Sequence, residues 1–264
     1  ELFKKDRPDF ESKWSDIGTF IKYGLISDEK FAERAMDFAL LKNTEDSHFT
    51  VEEYKEKIKT VQTNKNNRLI CLYTHDRQMH YSLISQCRER GYDVLLMDQI
   101  IDNHFIQHLE YKAEMSFKRV DADTIDQLIE KDEKQESVLS QDEQNQLQSV
   151  FKSVVLNQDS QVEVKALSPN DPPVQIIRPE FMRRMSEKQH MMHMMKGDQN
   201  DLFKDHYQLI VNSNHPSIAQ KMIQAEEAQK MEMATYLTEL ALLEQQMLKG
   251  PALNEFIQKS LSRV

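Results

Sequence analysis

Residues 68–74, RLICLYT, and residues 92–97, YDVLLM, are two short apolar runs with a polar, helix-like segment between them. Four apolar residues in that segment recur at helical spacing before Gly91: Met79, Leu83, Ile84 and Cys87. A strand, a helix and a strand within about thirty residues predict a βαβ unit with parallel strands. Because a parallel pair needs apolar cover on both faces, flanking helices such as 100–110 predict a three-layer αβα domain of the α/β class over residues 1–119.

Helical spacing also precedes this unit. A helix is predicted over residues 9–24, where Gly24 is the expected stop, and Asp28 opens the next helix. Thr50 is a predicted N-cap, because Glu53 three residues later completes a capping box.

Residues 120–264 have the pattern of an α+β domain with a short antiparallel sheet. Residues 121–146 hold nine acidic side chains and no aromatic one, which predicts a solvated linker with one short helix near Ile125, Leu128 and Ile129. The elements predicted after the linker are a helix over 143–156, a hairpin of strands 161–167 and 174–177, a third strand over 206–212, and helices over 216–227, 229–248 and 251–262.

Composition excludes several classes of protein. A formal net charge of -10 argues against nucleic acid as the main partner, because phosphate binding needs a basic face. No apolar run approaches the roughly 20 residues of a membrane span, so no membrane partner is expected. Cys71 and Cys87 do not form a CxxC pair, which fits two buried thiols in a reducing, cytoplasmic compartment.

The sequence carries no motif for catalysis, cofactor binding or metal binding. Neither GxGxxG nor GxxxxGK[ST] occurs, so a phosphate-cradling loop is not expected. His104 and His108 share helical spacing, as do His190 and His193, but no third ligand follows with the spacing of a metal motif. We therefore predict no catalytic, cofactor or metal residue in this chain.

Methionine is concentrated in one segment. Six of the 14 methionines fall close together: Met182, Met185, Met191, Met192, Met194 and Met195. With Phe181 they line an apolar stripe on a helix predicted over about 179–195. Methionine adapts its shape to varied partners, which favours a binding surface. A Met-rich core helix is the alternative, although the polar stretch 196–200 that follows favours partial exposure.

The last two predicted helices carry more apolar residues than one buried stripe requires. Helix 229–248 is apolar over most of its circumference, whereas a surface helix needs one apolar face. We predict that helices 229–248 and 251–262 pair with a second copy as a four-helix bundle. The predicted dimer contacts are Leu237, Leu240, Ala241, Met247, Leu248, Leu253, Phe256 and Ile257. The alternative places both helices inside a larger monomer core.

Short motifs, in order along nearly the whole chain, resemble those of the heat shock protein 90 family of chaperones, in its bacterial HtpG type. The resemblance rests on FESKW (10–14), KYGL (22–25), TVEEY (50–54), GYDVLLMDQIID (91–102) and NSNHP (212–216). These are similar to the family's "F-W…K-x-G" helix, its "S-L-E-x-Y" segment, its "G-hydrophobic-E-V-L…I-D" signature and its "N-P-x-H" turn. Ser213 stands where proline is usual.

The resemblance implies that the chain is the C-terminal half of an ATP-dependent chaperone protomer. It implies a small part of the middle domain followed by the dimerisation domain. ATP and magnesium would bind in an N-terminal domain outside these residues, so no ATPase activity is expected of this chain. The implied partners are a second copy and non-native client proteins. The implied client-binding residues are Phe181, Met182, Met185, His104 and Phe105. The alternative function is an oligomerisation or scaffold domain of a multidomain α/β enzyme.

Overall fold

The computed structural model describes residues 2–113, 115–131, 135–155, 160–182, 184–185 and 207–262. The chain divides into two compact units. The N-terminal unit comprises Glu1–Val120 and Gln127–Asp132, and the C-terminal unit comprises Asp121–Asp126 and Glu133–Val264.

The N-terminal unit begins with four helices and two strands, after which helices and strands alternate. Its elements are α1 (Leu2–Lys5), α2 (Arg7–Ser12), α3 (Trp14–Ser27), α4 (Glu29–Ala35), β1 (Leu40–Lys42), β2 (His48–Thr50), α5 (Val51–Ile58), β3 (Ile70–Thr74), α6 (Tyr81–Glu89), β4 (Val94–Leu96), α7 (Asp102–Lys112) and β5 (Ser116–Arg119). A short helix, α8 (Ile125–Leu128), lies where the chain passes between the units.

Three parallel strands form the main sheet of the N-terminal unit, in the order β4-β3-β5. Leu72 of β3 pairs with Val94 of β4, and Cys71 of β3 pairs with Phe117 of β5. The predicted parallel βαβ unit is thus confirmed as β3-α6-β4. Strand β5 is missing from the sequence prediction, because its four residues contain one apolar side chain, Phe117, and form no apolar run.

The helix predicted over residues 9–24 is two helices in the structure, α2 and α3, and the second of them ends three residues later than predicted. The helical structure is interrupted at Lys13, and α3 continues past Gly24 to Ser27. It ends there because Asp28 caps α4, where its side chain accepts a hydrogen bond from the Phe31 N–H. Gly24 has a different role from the predicted stop: a Cβ at this position would lie 2.7 Å from the Phe31 ring, so glycine makes room for that ring.

The capping box predicted at Thr50 is confirmed. The Glu53 N–H donates to the Thr50 hydroxyl, and the Thr50 N–H donates to the Glu53 carboxylate at 2.8 Å. The same carboxylate accepts a hydrogen bond from the Arg7 guanidinium at 2.7 Å. Arg7 and the capping bonds hold the pKa of Glu53 at about 2, although partial burial opposes them. Glu53 therefore ties α2 to the start of α5.

Residues 121–146 were expected to be a solvated linker, and they are divided between the two units. The short helix α8 confirms one element of that prediction. Solvation is wrong for Ile125, Leu128 and Ile129, which are all buried. Sparse apolar residues among many charges can still be buried when each falls on the inner side of a turn.

The remaining elements of the C-terminal unit are α9 (Gln141–Val154), β6 (Gln161–Lys165), β7 (Val174–Ile177), β8 (Gln208–Asn212), a π-helix (Ser217–Met222), α10 (Glu227–Glu244) and α11 (Gly250–Leu261). Helix α10 ends earlier than predicted, near Gln246, whose φ of 55° is left-handed. Pro251 lies in the first turn of α11, where a missing N–H costs nothing.

The predicted hairpin between the first two strands of this unit is wrong. The strand order is β6-β8-β7, so β8 lies between them, parallel to β6 and antiparallel to β7. Four of the five residues of β8 are buried, whereas β6 alternates with the polar side chains Glu163 and Lys165. Charged residues such as Glu163 and Lys165 suit an edge strand. The polar residues of β8, Gln208 and Asn212, lie at its two ends, and the three residues between them are apolar and buried.

Replacing Glu53 tests the link between α2 and α5. Glu53→Gln should lower the free energy of unfolding by about 1 kcal/mol at pH 7, because it removes the ionic contact with Arg7 and weakens the capping box. The folded-state pKa lies below the ordinary value, so the carboxylate stabilises above about pH 4.5 and stops doing so as the pH falls towards 2. Urea unfolding at several pH values measures the difference.

The exposed Glu33 on α4 provides the control for this experiment. Glu33→Gln should leave the unfolding midpoint unchanged at every pH. If Glu53→Gln lowered the free energy of unfolding by the same amount at pH 7 and at pH 2, the proposed role of the Glu53 charge would be wrong.

Candidate binding surfaces

The last two helices expose apolar side chains on their outer faces. The inner face of α10 is buried through Ala234, Thr238, Ala241 and Leu242. Its outer face exposes Leu240 and Leu243, and α11 exposes Ile257 and Leu261. Tyr236 of α10 stacks on Phe256 of α11 with ring centroids 5.6 Å apart, which fixes the two helices against each other.

The eight predicted dimer residues divide into three groups in this arrangement. Leu240 and Ile257 are exposed, and Leu237, Met247 and Leu253 are half-buried. Ala241, Leu248 and Phe256 are buried in the core of their own unit. Leu243 and Leu261 were not among the predicted residues, although both continue the apolar spacing of their helices.

The Met-rich segment lies partly within the described residues. Residues 180–182 and 184–185 are helical. Phe181 is 72% exposed, and Met182 and Met185 are half-buried. The other four methionines of the cluster lie outside the described residues: Met191, Met192, Met194 and Met195.

The two candidate residues on α7 differ in exposure. His104 is exposed, but Phe105 is fully buried in the core of the N-terminal unit. The Lys22 ammonium lies 5.6 Å from the centroid of the Phe105 ring. Phe105 therefore packs inside its unit and adds nothing to the exposed surface.

A buried ion pair lies beside Phe105. The Lys22 Nζ donates to Asp102 Oδ1 at 2.6 Å and to Gln99 Oε1 at 3.2 Å. Asp102 Oδ2 accepts the Gln99 N–H at 3.0 Å. Both charged side chains are over nine-tenths buried. Burial raises the pKa of Asp102 above its ordinary value, although Lys22 counteracts this. The pair ties α3 to the loop that precedes α7.

The described residues offer little for catalysis or metal binding. Burial raises the pKa of Cys87 to about 12 and that of Cys71 further, so neither thiol is a nucleophile at neutral pH. Within the described parts of the chain, no group of three His, Cys, Asp or Glu side chains could hold a metal ion. None of the helices described is long and apolar enough to cross a membrane.

A family profile described as "Hsp90 protein" matches residues 1–258. The chain belongs to the Hsp90 family. The chaperone protein HtpG of Bacteroides thetaiotaomicron is 39% identical over 245 residues, which cover 90% of this chain and 35% of that protein. HtpG of Porphyromonas gingivalis is 36% identical over 224 residues, 83% of this chain and 32% of that protein. This Hsp90-family chain therefore spans about a third of the length of the curated relatives that it matches.

More distant HtpG proteins also match. HtpG of Bdellovibrio bacteriovorus is 26% identical over 255 residues, which cover 92% of this chain and 39% of that protein. The resemblance inferred from short motifs is thus confirmed.

Two of the Hsp90 motifs meet in the buried ion pair. Lys22 comes from the "K-x-G" motif and Asp102 from the "I-D" motif, 80 positions later. Gly24, two residues after Lys22, admits the Phe31 ring. The spacing of the motifs did not predict this contact, because nothing local in either motif indicates its partner.

The turn at 212–216, which corresponds to the family's "N-P-x-H" motif, is hydrogen-bonded to two other segments of the C-terminal unit. The Asn212 side chain accepts hydrogen bonds from the N–H groups of Leu167 and Asn214, at 3.2 and 3.0 Å. Ser213, where the family usually has proline, accepts a hydrogen bond from the Ser137 hydroxyl at 2.8 Å. Side-chain hydrogen bonds thus hold this turn, where a proline ring would restrict its backbone.

A double-mutant cycle tests the ion pair of this Hsp90-family chain. Asp102→Asn and Lys22→Met should each destabilise the N-terminal unit by about 3–5 kcal/mol, because each leaves one buried charge without its counter-charge. Combining both changes should cost clearly less than the sum of the two, since no buried charge then remains. Urea unfolding gives the free energy of unfolding of the unaltered chain, the two single variants and the double variant. If the two single losses added up to the loss in the double variant, the coupling would be contradicted.

Proposed function

We propose that this chain is the part of an HtpG-type chaperone that joins two protomers and presents apolar side chains to non-native proteins. Two findings support the proposal. The curated relatives are named chaperones, and α10 and α11 expose Leu240, Leu243, Ile257 and Leu261 on their outer faces. The proposal of dimerisation rests on the exposed apolar faces of these two helices.

Apolar residues on both sides of α10 explain why a second copy would bind there. One exposed leucine on a monomer needs no explanation, but four large apolar side chains on two adjoining helices form a patch. Burial of apolar area contributes about 25 cal/mol per Å². A copy related by a two-fold axis would present the same patch, and four helices would then enclose it. The contact would centre on the exposed residues, with Ala241, Leu248 and Phe256 supporting it from the core.

Charge substitution on the outer faces tests dimerisation. Leu240→Glu combined with Ile257→Glu should convert a dimer into a monomer at low micromolar concentration, because each interface would then bury like charges. Multi-angle light scattering gives the molar mass. Both residues are exposed, so circular dichroism should show an unchanged fold.

Met231→Glu is the matched control, since Met231 is equally exposed near the opposite end of α10. This variant should keep the mass of two protomers. If the unaltered chain were already a monomer at this concentration, the proposed dimer contact would be wrong.

Phe181, Met182 and Met185 form the proposed client-binding surface. An apolar patch of Phe and Met gives burial without strict shape requirements, because methionine is unbranched and polarizable. Non-native proteins share exposed apolar side chains and little else. Low-specificity burial is therefore the interaction that a general chaperone needs.

Serine substitutions at Phe181 and Met185 test this surface. The double variant should bind a permanently unfolded protein, such as reduced and carboxymethylated lactalbumin, about tenfold more weakly. Fluorescence anisotropy measures the affinity. Val138→Ser, at another exposed apolar residue of the same unit, is the control and should bind normally. A loss of stability of about 2–5 kcal/mol in the double variant would instead indicate a core role.

The wider mechanism that we propose follows the family resemblance. Two protomers joined at their C-terminal helices form a clamp, and nucleotide-driven movement elsewhere in the longer protein repositions the surfaces presented here. ATP and magnesium would act in the N-terminal domain, so this part would have no enzymatic activity of its own. We place the protein in the cytoplasm.

A further inference from the structure

A cavity of about 400 Å³ lies between α9 and α10 in the C-terminal unit. Its floor is aliphatic: Leu147 and Val150 come from α9, and Ile223 directly follows the π-helix. More exposed polar side chains surround its mouth: Asn145, Gln146, Ser149, Glu227 and Lys230. A volume of roughly 300–1,000 Å³, an apolar lining and a few polar groups are typical of small-molecule sites.

The cavity is part of the folded structure, because hydrogen bonds fix α9 against its neighbours. Gln148 Nε2 donates to the Val162 carbonyl at 2.7 Å, which fastens α9 to β6. Ser153 Oγ donates to Met231 Sδ at 3.4 Å, which joins α9 to α10 beyond the cavity. Leu147 in the cavity floor also belongs to the core of the unit. A fixed cavity loses little conformational entropy when a ligand enters it.

The cavity adjoins the π-helix. The Ile223 N–H donates to the Ile218 carbonyl five residues earlier, whereas an α-helical bond would reach back four residues. Ile218 and Met222 are buried in the core, but Ile223 is half-buried and lines the cavity. π-Helical turns are rare and occur frequently at functional sites. The irregular turn is therefore an independent indication that this cavity binds a ligand.

Lys230 supplies the charged group of the cavity. Its side chain is 15% exposed, and its Nζ lies 2.9 Å from Glu227 Oε1, whose side chain is 80% exposed. An ion pair with so exposed a partner contributes little, so a ligand carboxylate can displace Glu227 at small cost. Lys230 would keep a counter-charge, and Glu227 would be solvated by water. This difference in exposure favours an anionic ligand over a cationic one.

We propose that this cavity, the α9–α10 cavity, binds an aliphatic monocarboxylate, with its hydrocarbon tail on the aliphatic floor and its carboxylate on Lys230. One lysine matches one negative charge. The side chains described around the cavity include no aromatic ring on which a ligand could stack, which favours an aliphatic tail. The proposal goes beyond dimerisation and client binding, because its residues belong to neither of those proposed surfaces.

Isothermal titration calorimetry of the complete chain with sodium octanoate, below the concentration at which micelles form, tests the α9–α10 cavity. Octanoate should bind about fourfold more tightly than heptanoate, because one more methylene is buried. Lys230→Met should weaken octanoate binding about tenfold, whereas Lys230→Arg should retain it, since the positive charge remains. Glu227→Gln should tighten binding about twofold, because it removes the competing carboxylate.

Lys55→Met is the matched control. Lys55 on α5 forms a similar ion pair with the glutamate three residues before it, Glu52, at 2.8 Å. This variant should bind octanoate like the unaltered chain. Val150→Phe is a second variant, which keeps Lys230 but fills the cavity, and it should weaken binding at least tenfold. Circular dichroism checks that each variant is folded.

The outcomes separate this proposal from the proposed function. Unchanged octanoate binding in either Lys230→Met or a folded Val150→Phe would overturn the proposal, as would no measurable binding by the unaltered chain. Octylamine binding as tight as that of octanoate would also overturn it, because the carboxylate would then have no role. The double serine variant at Phe181 and Met185 should bind octanoate normally, so a failure of client binding leaves this result unaffected.

Discussion

The buried ion pair between Lys22 and Asp102 is the interaction on which the arrangement of the N-terminal unit depends. Each charge would be costly to bury alone, so each requires the other at hydrogen-bonding distance. This requirement fixes α3 against the start of α7 and orders the loop before α7. The parallel sheet supplies the apolar core, and the ion pair joins α3 to the start of α7.

The C-terminal unit depends on its central strand in a comparable way. Strand β8 is buried on both faces at Leu209, Ile210 and Val211, and it lies between β6 and β7. The turn after β8 uses the Asn212 side chain to satisfy backbone N–H groups from two segments. Asn212 Oδ1 has two lone pairs and accepts both N–H groups, while its Nδ2 donates to the Ser168 carbonyl at 2.8 Å. The strand order and the turn together position the π-helix and α10 that follow.

Large apolar side chains remain exposed after both cores of this Hsp90-family chain are formed. They occur on the outer faces of α10 and α11 and at Phe181. The proposed dimer contact and the proposed client-binding surface depend on these side chains.

Local patterns in the sequence determined most of the elements. The apolar runs of β3 and β4 and the helical spacing between them predicted the βαβ unit, because such a pattern can be buried in few other ways. The capping box at Thr50 was predictable because all its atoms lie within four residues. The apolar circumference of α10 predicts cover on two sides. The core of its own unit covers one side, and cover of the other side stays a prediction.

The tertiary structure alone decided which distant residues meet. Lys22 and Asp102 are 80 positions apart, and no local pattern in either motif names its partner. Apolar content did not indicate that β8 lies between β6 and β7, because all four residues of the edge strand β7 are buried as well. Exposure within the candidate site also required the fold: Leu240 faces outward and its neighbour Ala241 faces the core, although both fit the same apolar pattern. Sequence periodicity describes one element at a time, whereas burial depends on what the other elements cover.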